Sequence, residues 1–196
     1  MKISQIAAAG ALAVTLGTTA QASPIPITGT AAIAVVGVSV NTSLIDVGTT
    51  FTNTLFSVVG GATGDFIPAI SALLTLNPVT ATVNSAVSFT GSFGSFVGLV
   101  DSTSLSAQST PTSRTVTVYA LGNFTPAGVL GNYLGNAMSA TFSFTQTGGG
   151  STSVSGSFSA AAPPAPPPPV PVPEPMSLAL FGLGLAGFGL MARRKA

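Results

Sequence analysis

Between residues 23 and 160 the chain alternates between apolar and hydroxylic residues, most plainly in Phe142-Ser143-Phe144-Thr145. A period of two puts every second side chain on the same face of an extended strand, so the rings belong to one surface and the hydroxyls to the other. The pattern fills 140–147 and resumes over 151–159, where Val154, Gly156 and Phe158 share a face. Gly148, Gly149 and Gly150 lie between these runs and supply positive φ angles, so the two are expected to pair as an antiparallel hairpin. Val87, Phe89, Gly91 and Phe93 alternate in the same way, and 115–119 reads as a strand with Val116 and Val118 inward. The run 33–40 is more continuously apolar and reads as a strand buried on both faces. Segments 51–59 and 70–76 complete the set, with a short helix after Pro68 as the alternative for the second. Many short strands without an amphipathic helix predict an all-β domain over 23–160, an antiparallel β-sandwich with jelly-roll-like connections as one form. An outer-membrane barrel would alternate too, but two Tyr and no Trp leave little for its aromatic girdles.

Composition narrows the chemistry. The only charges in 23–160 are Asp46, Asp65, Asp101 and Arg114, three acids against one base. Solubility therefore falls to Ser, Thr, Asn and Gly, and no basic patch exists to neutralise nucleic-acid phosphates. The chain has no Cys and no His. Disulfide staples, Ser-His-Asp triads, Cys-His dyads and the usual zinc ligand sets are all excluded. Asp46, Asp65 and Asp101 would have to meet in space to form the acid pair of a glycosidase, and each sits in a turn-like setting where Asp bonds its own backbone. The expectation is a protein that is not an enzyme and holds no cofactor, with calcium at Asp65 or Asp101 as the one metal alternative. Asn41-Thr42-Ser43 and Asn123-Phe124-Thr125 match the N-glycosylation pattern, but the abundance of Ser and Thr on outer faces makes O-glycosylation the more natural modification.

Both ends carry targeting signals. Lys2, an apolar run over 6–16 and Ala20-Gln21-Ala22 form a signal peptide over 1–22, cleaved to leave Ser23 as the mature N-terminus. At the other end, 161–172 is Pro-rich and is expected to form a polyproline II spacer, holding the domain about 35 Å clear of a bilayer. From Met176 to Ala192 there is no charge, and Arg193, Arg194 and Lys195 follow at once. As a helix this run spans roughly 25 Å against a hydrocarbon core of about 30 Å, a deficit that snorkelling and thinning cover. The basic cluster marks the cytoplasmic side. Pro173 and Pro175 hold Glu174 extended just ahead of the helix.

Motif, apolar helix and basic stop, in that order over 173–196, resemble the PEP-CTERM sorting signal of Gram-negative bacteria. The resemblance covers only the tail. It implies signal peptidase and a membrane-embedded exosortase as processing partners, passage through an inner-membrane intermediate, and release to the cell surface or beyond. It also implies association with exopolysaccharide production. The expected role is therefore that of a non-enzymatic structural protein of biofilm or exopolysaccharide matrix. The alternative is an adhesin or carbohydrate-binding module delivered by the same tail, with Tyr119 and Tyr133 as its stacking residues.

Overall fold

The computed structural model describes residues 24–107, 113–148 and 154–168. The signal peptide with Ala20, Ala22 and Ser23, the motif Pro173, Glu174 and Pro175, the segment 176–192, and Arg193, Arg194 and Lys195 lie outside the described residues. Among the described residues no helix is long and apolar enough to cross a membrane.

Nine strands form in chain order: β1 (Gly29–Val40), β2 (Thr50–Ala62), β3 (Leu73–Leu76), β4 (Val79–Thr80), β5 (Ala86–Gly91), β6 (Gly94–Ala107), β7 (Arg114–Pro126), β8 (Asn136–Gln146) and β9 (Val154–Ala162). The sheet order is β1-β9-β8-β7-β6-β5-β3-β2, and β1 also pairs with β2. The sheet thus closes on itself as an eight-stave antiparallel barrel. β3 and β4 both pair with β2 and act as one stave, interrupted at Pro78, which lacks the N–H a ladder needs. Each stave lies beside its neighbours in sequence, which is up-and-down connectivity and not the Greek key of a jelly roll.

The expected all-β, antiparallel domain is present, whereas the expected sandwich gives way to a barrel. Alternation cannot separate the two, because each buries one face of every strand. What decides is that β1 bonds β9 on one side (Ile33↔Phe158) and β2 on the other (Val35↔Ser57), leaving no open edge between first and last strands. Tight coiling is permitted where Gly98 faces Gly122 across β6 and β7. A Cβ on Gly122 would lie 2.2 Å from the Val97 carbonyl oxygen, so no other residue fits this approach.

An eight-stranded barrel leaves an interior just wide enough for side chains. Nine of the chain's 12 Phe fill it: Phe51, Phe66, Phe89, Phe93, Phe96, Phe124, Phe142, Phe144 and Phe158. Phe51 stacks on Phe144 at 3.9 Å between centroids, and Phe142 on Phe158 at 4.7 Å. Each buried ring contributes about 1.5–3 kcal/mol of transfer free energy, and favourable ring pairs add to it. The hairpin read around Gly148 is β8–β9, with Phe142 opposite Phe158 and Gly148 at φ +91°. In β1, Ala31, Ile33 and Val35 point inward while Ala32 and Ala34 are exposed, so the run read as buried on both faces is buried on one.

The ends are closed differently. At one end, two 3-10 turns (Gly64–Ala69 and Gly128–Leu130) seat Phe66, Ala69 and Leu130 over the core. At the other, the β1–β2 loop folds inward on Ile45, and buried Gln146 bolts it down. Its Oε1 accepts from Ile45 N–H at 2.9 Å, and its Nε2 donates to the Ser43 carbonyl at 2.9 Å.

Candidate functional site

With the rings inside, the half of the outer wall of β6–β9 nearer the β1–β2 loop is left to hydroxyls. Register pairs align them in three rows across four strands: Ser106-Thr115-Thr145-Ser155, Ser104-Thr117-Ser143-Ser157 and Ser102-Tyr119-Thr141-Ser159. Neighbouring strands are about 4.8 Å apart and successive outward residues about 6.7 Å, so the wall is a rectangular lattice of groups that both donate and accept. Thr115 and Thr145 are already bonded to each other at 3.1 Å. None of the twelve positions is charged. This is the reverse of a membrane-spanning barrel, whose outer band is apolar.

One corner of the wall is covered. Strand β9 continues through Ala161 and Ala162, two residues into the segment read as linker. The following residues, 163–168, turn back across the outside of the barrel and do not leave it as a free spacer. Ser139 Oγ accepts from Ala165 N–H at 2.9 Å, the Tyr119 hydroxyl donates to the Ala165 carbonyl, and Pro168 rests in a notch with Ser102, Ser104 and Thr117. Prolines have no N–H to satisfy, so Ala165 is the residue of this strap able to both donate and accept through its backbone. The strap leaves Tyr119 3% and Ser139 1% exposed, although both point outward.

The three described carboxylates, Asp46, Asp65 and Asp101, are not gathered. Asp46 lies in the β1–β2 loop and pairs with Arg114 at 3.2 Å, tying that loop to β7. Asp65 sits at the opposite end, in the first 3-10 turn, where its Oδ2 accepts from Thr28 N–H at 2.8 Å and from Thr28 Oγ1 at 3.0 Å. The Thr28 backbone N–H holds the Asp65 carboxyl below its ordinary value; partial burial opposes this, and the hydroxyls of Thr28 and Tyr133 add to it. The Asp65 charge in turn raises the Tyr133 hydroxyl. Asp101 is exposed at a bulge in β6. Among the described residues no three His, Cys, Asp or Glu come together as a metal site. Asn41 of the first glycosylation pattern accepts from Thr50 N–H at 3.0 Å.

Neither the hydroxyl lattice nor the strap is legible in the local sequence. The alternation that located Phe142 and Phe144 also places Ser143 and Thr145, but alignment across four strands depends on register. The molecule is thus a closed hydroxyl-faced barrel with a Pro-rich segment strapped to its side. Residues 171–195 match the family model described as the PEP-CTERM protein-sorting motif, so the chain carries that signal at its C-terminus. The match includes Pro173, Glu174, Pro175, Arg193, Arg194 and Lys195, and marks an exported protein processed by an exosortase through a membrane-anchored sorting intermediate. No curated protein and no solved structure matches the chain.

Proposed function

We propose that the protein is a non-enzymatic structural component of the extracellular matrix, delivered by its sorting tail and associating with neutral polysaccharide through the hydroxyl wall. The observation that carries this is the three-row lattice of hydroxyls on β6–β9, eleven from Ser and Thr and one from Tyr119, without a charge among its members. Such a surface exchanges hydrogen bonds with sugar hydroxyls as readily as with water. Affinity per contact is small, and it accumulates along a polymer. The interior is occupied by phenylalanine rings, and the three aspartates stand apart, which supports a role in structure over one in catalysis.

The rival reading, an adhesin or discrete carbohydrate-binding module, calls for exposed rings on which a sugar can stack. Tyr119 is covered by the strap and Tyr133 is half-buried with its ring packed against the core, so neither is a free platform. The exposed serines of β9, Ser155, Ser157 and Ser159, are the proposed sites of O-glycosylation.

Two measurements test the proposal. Mass spectrometry of the protein from its native host should find a C-terminus near residues 172–175 in the secreted fraction and a mass above that of the bare polypeptide. An intact Ala196 confined to the membrane fraction would remove the matrix role, and an unmodified mass would remove glycosylation. Co-sedimentation with host polysaccharide should be weak and non-saturating for the structural role; tight, saturable binding of a short oligosaccharide would favour the module.

A further inference from the structure

The strap borders an apolar patch. Just beyond Tyr119 on β7, towards the end closed by the 3-10 turns, Leu121 is 40% exposed; across the register on β6, Leu99 is 53% and Val97 66% exposed. Val83, 49% exposed, closes the group and leaves an open depression of about 570 Å³. The ionisable residue at its rim is Asp101, and no basic residue lines it. The patch is out of place on a wall otherwise given to hydroxyls. Its position relative to the tail says what covers it.

From Ala162, eleven residues reach Pro173; docking of the strap takes up the first six. Only 169–175 then separate the wall from Met176, and seven residues span at most about 25 Å fully extended. Pro168, the last residue described, lies against β6 one row from the patch. A barrel held this closely, by this side, keeps the patch within reach of the membrane assigned to 176–192.

We propose that, while the tail is in place, the barrel lies against the lipid surface through Val83, Val97, Leu99 and Leu121, with the strap setting its orientation. This rests on the membrane role of 176–192. Asp101 without a basic neighbour gives no attraction to anionic headgroups, so the contact is apolar and suits a neutral bilayer.

The chain contains no Cys, so single labels can be placed at will. Full-length Val97→Cys and Ala34→Cys, the second on the far wall, would each carry a polarity-sensitive fluorophore and be reconstituted with phosphatidylcholine vesicles. The expected result is flotation of both proteins with the vesicles and a blue shift at position 97 alone. Flotation without a shift at 97, or with equal shifts at both positions, overturns the docking face. A shift that follows protein concentration and not lipid identifies a second copy as the occupant and overturns it too. Failure to float overturns the membrane role of the tail itself, and the inference with it.

Discussion

At the scale of single residues, the barrel depends on its rings and on a few polar bolts. Phe142 is enclosed between Phe144 and Phe158, so Phe142→Ala should lower stability by about 3–5 kcal/mol in denaturant unfolding. Gln146→Leu keeps bulk but leaves Ile45 N–H and the Ser43 carbonyl unsatisfied, a loss of about 1–3 kcal/mol, with faster hydrogen exchange at Ile45. Asp65 sets a pH dependence. Its carboxyl titrates lower in the fold than in the unfolded chain, chiefly through the Thr28 N–H. Its contribution is therefore complete above the unfolded-state value and is lost as pH falls through the folded-state value. Melting temperature measured from neutral to strongly acid pH should drop on the acid limb, and Asp65→Asn should flatten that limb.

At the scale of elements, the strap is the least expected part, and it is separable from the core. Tyr119→Phe removes the hydroxyl that holds the Ala165 carbonyl but keeps the ring, so barrel stability should change by no more than about 0.5–1.5 kcal/mol. Hydrogen exchange at Ala165 should nevertheless quicken severalfold; unchanged exchange would mean that Ser139 alone holds the strap. The strands show why part of the fold was legible and part was not. β8 and β9 announce themselves because inward Phe142, Phe144 and Phe158 alternate with outward Ser and Thr. β6 does not, because its inward positions include Gly98 and Thr103, and a bulge at Asp101 breaks the period. The run 33–40 looks buried on both sides because Ala34 and Val36 are apolar, yet Ala34 is exposed and small enough to face water at little cost. The strap left no local trace, since a Pro-rich run reads alike whether it stands free or lies on a wall.

At the scale of the whole molecule, closure and delivery have different origins in the sequence. The sorting signal is linear, a motif followed by an apolar run and a basic stop, and it is legible without a fold. The barrel is not, because the pairing of Gly29 with Ala162 joins residues at opposite ends of the domain. Deleting β1 should leave β2 and β9 as bare edges, and the secreted chain should aggregate, as size-exclusion chromatography would register. Under export led by the N-terminus, as the signal peptide read over 1–22 would direct, the same pairing fixes an order of events. On that route the ring of strands cannot be completed until Ala162 has emerged. Contacts this distant in sequence form slowly, so the chain stays threadable for nearly the whole of its passage. Completion of the fold is thereby timed to arrival, and the last strand to appear is the one that shuts the barrel.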